Sequence, residues 1–387
     1  LDVRVYLLAA AVFLAGVAEN ICVGILPAIS AGLHVSIAAA GQLTTIFSAV
    51  FALAALVAAS FVARVERRTA LLAALGAFAA ANLCAAASPG YASLLAARVL
   101  MAASCATLIL VATRFAAELA PVPQRGRAIG IVFMGISASL VLGVPIGMRI
   151  AEWAGWRAVF VSIAVPALPL GIWLARGLPR MTPAAAGTPG MPSYRGVLSQ
   201  PRLLAAQCVS IAMIGGHFTL FAYLTPYLQA VLSPGAVALE GLYVAFGMAG
   251  VTGAWLGGFC SDRLGAARAL CACPTVFLVA MAALPAAGAS PLVFVAAMML
   301  WGGISWSISP IVQNYLIHTG PTLADASVGL NVSAMHAGVA LGSALGGVLV
   351  GRDALLVTPW AGCVLVAVAL TCAWVAARPA RQAVRAS

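Results

Sequence analysis

The chain of 387 residues contains no lysine: all twenty of its basic residues are arginine. Acids are scarcer still, nine in all, so charged residues make up 7% of the sequence, against about a quarter in an ordinary soluble domain. That is too little charge to cover a water-soluble surface of this size. The composition excludes soluble-enzyme, disordered, collagen-like and disulfide-scaffold classes. Catalytic motifs are missing as well. There is no P-loop, no HExxH, no GxSxG and no pair of carboxylates within an apolar run, so neither ATP-driven transport nor membrane hydrolysis has its parts, and no enzyme activity is expected. The nine cysteines are scattered. Their one close pair, Cys271 and Cys273, lacks a second Cys or His pair at zinc spacing, so no metal site is expected and free apolar thiols are the reading.

What the chain has in excess is apolar sequence, 64% of its residues, with a mean hydropathy of +1.09. A membrane helix needs about 20 such residues, and charges and Pro/Gly clusters punctuate the chain at close to that interval. The spacing predicts an all-α integral membrane protein with twelve spans, near 6–28, 36–62, 69–88, 92–117, 127–149, 157–176, 202–231, 239–261, 267–288, 291–317, 327–350 and 355–377. The first segment, with Asp2 and Arg4 ahead of a long apolar run and no evident cleavage site, is predicted to be a retained span.

The net charge of +11 invites a nucleic-acid reading, but no basic stretch is long enough to form a separate module. Its distribution fits a membrane instead. With the amino terminus inside, sixteen of the twenty arginines fall on the inner side, Arg149, Arg157 and Arg352 lie outside, and Arg98 falls within a span. This is the positive-inside asymmetry, and it predicts both termini in the cytoplasm of a bacterial-type inner membrane. Residues 177–201 carry five prolines with interspersed Gly and Arg, which marks a cytoplasmic linker between a six-span unit over 1–176 and another over 202–387. The halves repeat weakly. Arg64 after the second span and Arg263 after the eighth stand 199 residues apart, each leading into an apolar span, and Ser88-Pro89 finds an echo in Ser290-Pro291. Six-span halves related in this way are how transporters place one site between two bundles.

Several stretches then carry a resemblance: Glu19 to Pro27 in span 1; Ala97-Arg98-Val99-Leu100 in span 4; Gly143-Val144-Pro145-Ile146-Gly147 and Gly155-Trp156-Arg157 around span 5; Tyr223 to Leu228 in span 7; and Asn331 to Gly342 in span 11. Over nearly its whole length the chain resembles the major facilitator superfamily. Within it, the chain is similar to the twelve-span drug:proton antiporter group in its arabinose/sugar-efflux-like branch. The resemblance implies two pseudo-symmetric six-helix bundles. It also implies a loop motif on the cytoplasmic side that locks the halves when the transporter faces outward. That motif is intact at Gly258, Asp262, Arg263 and Gly265, whereas the first half keeps Arg64, Arg67 and Arg68 but holds Ala59 and Ala63 at the glycine and aspartate positions. Glu66 is read either as a replacement acid or as a solvated loop residue. The span-5 set Gly143, Pro145 and Gly147 is the pattern the resemblance associates with exporters, although small residues at that spacing also simply let helices approach.

Glu19 is the one acid deep within a span, about 14 Å from the predicted span end at about 1.5 Å per residue, and Arg98 enters from the same face to about 9 Å. Ionisable groups at membrane depth usually mark an ion or substrate pathway. A carboxyl under opposing influences, desolvation and a nearby guanidinium, can be switched by the opening of a cavity or the arrival of substrate. Glu19 and Arg98 are therefore read as a proton-coupling pair, with a fixed structural ion pair as the alternative. The resemblance supports the first reading and places spans 1, 4, 7 and 10 around the cavity. That nominates Asn20, Phe218, Phe221, Tyr223, Tyr227, Trp301, Trp306, Gln313 and Asn314 as cavity candidates, a set suited to a planar or amphipathic solute, and Cys105, His217 and His336 of span 11 join them as polar groups at plausible cavity depth. The histidines are candidates for a proton relay or for packing. Trp153, Trp156 and Trp360 read as interface anchors.

The function expected is a proton-coupled exporter of a small organic solute, driven by the proton motive force without a bound cofactor. Its partners would be substrate, protons and the lipid bilayer, and a monomer would suffice because one chain holds both halves. A facilitator or importer of a similar solute, and a membrane sensor that moves nothing, are the alternatives.

Overall fold

A computed structural model describes residues 2–62, 65–180, 194–232, 236–287 and 290–378, with the side chains at 59–61 and 236–237 left aside. Twelve helical stretches among them are long and apolar enough to cross a membrane. Helices are forced on such a sequence because the bilayer core offers no water to pair backbone N–H and C=O groups.

The first bundle comprises α1 (Val3–Gly24) continued by α2 (Leu26–Leu33), then α3 (Ile37–Val62), α4 (Arg67–Ala86), α5 (Tyr91–Leu119), α6 (Arg125–Ala138) continued by α7 (Val144–Ala154), and α8 (Trp156–Gly177). A short helix α9 (Tyr194–Leu198) precedes the second bundle. That bundle comprises α10 (Pro201–Phe221) continued by α11 (Leu224–Leu232), α12 (Ala236–Leu264), α13 (Ala266–Ala287), α14 (Pro291–Thr319), α15 (Ala324–Val350) and α16 (Thr358–Ala377). Helices α1, α4, α5, α6 and α8 pack chiefly within the first bundle, as α10, α12–α14 and α16 do within the second, while α3 packs on α15 of the other bundle more extensively than on any one helix of its own. The bundles meet where α3 runs along α15 and where the α6–α7 junction and α7 meet α12. The alternation of spans puts Asp2 and Arg378 on one face, called here the terminal face. The opposite one is the far face.

Predicted span ends hold to within a few residues, with three corrections. The seventh span, expected to be continuous over 202–231, divides at Ala222 and Tyr223, and the first divides at Ile25. In both cases a proline, Pro27 or Pro226, sits at the start of the continuing helix and cannot donate to the carbonyl four residues back. These prolines are also 199 residues apart, so the break is a feature of the repeat. The fifth span runs longer than expected and contains a wide π turn over Ser139–Gly143, in which the Val144 N–H reaches back to the Ser139 carbonyl. Pro145 lies just beyond, and its missing N–H favours that local rewinding. Of the expected linker, residues 181–193 lie outside the described residues, and its end forms α9, which docks against α10 and α15.

Small residues set how closely spans approach. A Cβ at Gly143 would run into Val17, and one at Gly147 into Ile21, so these two glycines seat the fifth span on α1. In the second bundle Gly253 lies against the backbone of Gly303, joining α12 to α14. Gly247 of α12 meets the backbone at Val141, where an added Cβ would come to 2.9 Å. The π turn of one bundle thus lies directly against a glycine of the other. Trp153 and Trp360 are exposed at span ends as expected of anchors, but Trp156 is buried, edge-on to Phe160 at 6.1 Å and beneath Arg157.

Candidate functional site

The in-span charges sit together on α1 and α5, but not as an ion pair. Arg98 is fully buried. Its guanidinium donates to the carbonyl oxygens of Ala18 (2.5 Å), Glu19 (3.4 Å) and Leu43 (3.3 Å), and it lies over the Phe47 ring at 4.1 Å. Three backbone acceptors and a ring face compensate the loss of water around this cation. Arg98 thus holds the backbone of α1 and makes no direct ion pair with the Glu19 carboxylate, while its charge stays within electrostatic reach of it. Glu19 Oε1 stands 3.9 Å from Nδ1 of His336 on α15, across the seam between the bundles. The imidazole stacks on Phe51 of α3, with centroids 3.7 Å apart and planes 21° from parallel. Cys105 of α5 is buried within electrostatic reach of both Glu19 and Arg98. Asn20 donates to Gly16 within its own helix.

A second cluster lies wholly in the other bundle. His217 is stacked on Phe221 (4.8 Å) and packed against Trp301 (4.8 Å), Phe218 (5.1 Å), Phe246 (6.2 Å) and Phe277 (6.4 Å). Neither of its ring nitrogens has a hydrogen-bond partner, and neither has the Trp301 or Trp306 indole N–H. Phe246 stands 199 residues after Phe47, and Phe218 the same distance after Glu19. The repeat thus matches a charged node in one half with an aromatic one in the other. Phe47, Phe51, Phe246 and Phe277 were not among the expected site residues; applied to Phe47, the repeat offset of 199 leads to Phe246 and would have found that pair.

The remaining candidates part company. Tyr223 and Tyr227 belong to the far-face closure and do not join either cluster. Tyr223 donates to the Ser343 carbonyl (3.2 Å) and packs against Gly41 of α3 and Gly347 of α15, while Tyr227 stacks on Phe294 at 6.4 Å. They were expected in the cavity because span 7 was taken as one helix; its break at Ala222 carries them outward. Beside them Thr225 donates to the carbonyls of Val23 (2.8 Å) and Gly24 (3.3 Å) on α1. Pro27 is the residue four positions after Val23 and lacks the N–H that would have filled that acceptor. Arg149 of α7 bridges Glu152 (2.8 Å) and, across the seam, Glu240 of α12 (2.9 Å). A further inter-bundle bond joins the Thr45 and Ser343 hydroxyls at 2.9 Å. The far face is therefore sealed by bonds between bundles.

Toward the terminal face, Gln313 bonds Ser309 on its own helix, and Asn314 donates to Ser261 (2.8 Å) and Asp262 (3.3 Å). Asp262 and Arg263 end α12, where Gly265 adopts φ +86° to turn the chain, and Gly258 has open space above it. In this structure Asp262 is thus held by its own bundle. Arg67 pairs with Glu118 and Arg68 donates to the Ala175 carbonyl, both within the first bundle. Arg64 lies outside the described residues. The Glu66 carboxylate caps α4 by accepting from the Arg68 and Thr69 N–H groups.

Comparison with known proteins adds an independent line. A family model described as Major Facilitator Superfamily matches residues 8–330. The MFS-type transporter YbcL of Bacillus subtilis is 33% identical over 369 residues, covering 95% of this chain and 94% of that protein. A chloramphenicol resistance protein of Streptomyces lividans is 31% identical, covering 95% of each. The crystal structure of a bacterial homologue of the human lysosomal transporter Spinster, inward-facing and occupied, superposes with a TM-score of 0.79 over 97% of this chain and 96% of that one, at 16% identity, a likeness of fold.

Proposed function

The chain belongs to the major facilitator superfamily, and from that premise we propose that this transporter is a proton-coupled exporter of a small organic solute, with Glu19 as the coupling acid. The observation that carries the reading is the setting of Glu19. It is the only acid deep in a span, its charge is balanced by a buried guanidinium fixed to backbone, and its carboxylate stands free of that guanidinium at the seam between bundles. A permanent structural pair would need Arg98 on the carboxylate; the facilitator reading, which treats the two as such a pair, has correspondingly less support. Arg98 acts in this scheme as a fixed positive neighbour that keeps an ionised Glu19 tolerable at depth.

The described arginines other than Arg98 divide thirteen to three between the terminal and far faces, which supports a cytoplasmic terminal face in a bacterial inner membrane. The arrangement sealed by Thr225, Arg149 and Glu240 then corresponds to closure toward the outside, one of the two states that alternating access requires. Protonation from outside would release substrate, and deprotonation toward the cytoplasm would ready the site for the next molecule. The aromatic cluster of the second bundle favours a planar or amphipathic solute. The Streptomyces relative's name makes chloramphenicol the first compound to try. A monomer is the working unit in this reading.

The test is directional transport. Proteoliposomes given labelled chloramphenicol outside and an imposed pH gradient should move it beyond equal concentrations, against its concentration gradient, and a protonophore should abolish that accumulation. Equilibration at the same rate with or without the gradient would establish a facilitator.

A further inference from the structure

We propose that the coupling proton is held by the Glu19–His336 pair, one residue from each bundle, and that His336 is therefore a second residue of the coupling site. The inference rests on the proton-coupled reading of Glu19 above and adds to it where the proton resides.

Four observations carry it. First, His336 Nδ1 and Glu19 Oε1 are 3.9 Å apart, so a closure of about 1 Å makes a hydrogen bond of ordinary length. Second, the imidazole is held in plane by its stack on Phe51, which presents the Nδ1 edge to the carboxylate. Third, His336 Nδ1 is buried and has no other hydrogen-bond partner, an unfavourable condition that is relieved when a neighbour takes it up. Fourth, Arg98 is committed to the carbonyls of Ala18, Glu19 and Leu43, and it cannot turn to the carboxylate without abandoning them.

The charges follow simply. With Arg98 positive and Glu19 ionised the site is neutral, and one bound proton leaves it with a single positive charge. That proton can lie on the carboxylate or on the imidazole. Facing Glu19 are Arg98 and Cys105 of α5 and Cys22 of its own helix, and α3, which packs between the pair's helices, carries no titratable side chain. On α10, the helix packed most extensively on α15, His217 points into the aromatic cluster. Because α1 and α15 belong to different bundles, occupancy of the pair bears directly on how the bundles sit, and a ligand can shift a conformational equilibrium only through such differential contacts.

The experiment compares wild type, Glu19→Gln, His336→Gln and Phe51→Leu as full-length chains in proteoliposomes. Chloramphenicol is the probe, an internal pH dye reports proton movement, and labelled chloramphenicol reports binding and flux across pH 5–9. The expected result is a chloramphenicol-triggered proton signal in wild type that is lost in both Glu19→Gln and His336→Gln, with chloramphenicol binding retained in His336→Gln. Phe51→Leu, which leaves every titratable group in place but frees the imidazole, should shift the pH profile of flux without abolishing it. A His336→Gln protein with the wild-type proton signal and pH profile, beside a silent Glu19→Gln, would overturn the inference and leave Glu19 as the sole seat. If His336→Gln does not fold, a Phe51→Leu profile identical to wild type overturns it equally. Chloramphenicol flux with no proton signal in wild type would remove the proton-coupled reading, and this inference with it.

Discussion

Replacing Thr225 by valine should open the far face. Thr225 and Tyr243 are both in the second bundle, and their hydroxyls lie 2.8 Å apart. That bond exists whichever way the bundles sit and cancels between states. The bond from Thr225 to the Val23 carbonyl, at 2.8 Å, is different: it crosses the seam and is made only when the far face is closed. Its acceptor has lost the usual helical partner to Pro27. Valine keeps the shape and removes the donor, so closure would bury an unpaired carbonyl at a cost of about 1–3 kcal/mol. That corresponds to a shift of roughly 5- to 150-fold toward the far-face-open state. Spin labels at the exposed positions Ala154 and Leu356, in a background with the native cysteines replaced, would report the two populations by pulsed distance measurement. Thr225→Ser, which keeps the hydroxyl, should match wild type. An unchanged distance distribution in Thr225→Val would refute the argument.

Three further outcomes follow from the same geometry. Gly253→Ala places a methyl group on the backbone of Gly303 and should lower the thermal midpoint in detergent, with a cost of about 1–3 kcal/mol typical of overpacking; Gly76→Ala, which meets nothing within 4 Å, should leave it unchanged. Arg98→Lys cannot satisfy three divergent carbonyls with one ammonium group, and at about 1.5–3 kcal/mol for each hydrogen bond to a charged group it should lower the midpoint strongly even though the charge is kept. A double-mutant cycle on Arg149 and Glu240, read by the same spin labels, should give a coupling of about 1 kcal/mol or less favouring closure, because the pair is partly open to solvent; a coupling that favours the open state would contradict the seal.

Much of this was legible from composition and spacing. Twelve spans, the two halves and their offset of 199 residues follow from where the chain interrupts its apolar runs, and Glu19 and Arg98 stood out as the only opposite charges within spans. The breaks at Ile25 and Ala222 were not seen, because a proline inside an apolar run leaves hydropathy untouched while it redirects the helix. That one omission hid the place of Tyr223 beyond the break, against Gly41 of α3 and Gly347 of α15. The direct contacts of Arg98 and of the Glu19 carboxylate were not seen for a different reason. Depth along two helices gives proximity, but not which acceptors a guanidinium selects, and Arg98 found backbone carbonyls that no sequence pattern reports. His336 was named, but its apposition to Glu19 depends on how α15 lies against α3, a contact between residues nearly three hundred positions apart.

The most direct test of the account counts protons against substrate. Purified protein in proteoliposomes with an internal pH dye, exposed to chloramphenicol under no imposed gradient, should show a proton movement that scales with the chloramphenicol moved, and Glu19→Gln should carry chloramphenicol down its gradient with no proton signal. Equal substrate movement in both proteins with no proton movement in either would contradict proton coupling at Glu19.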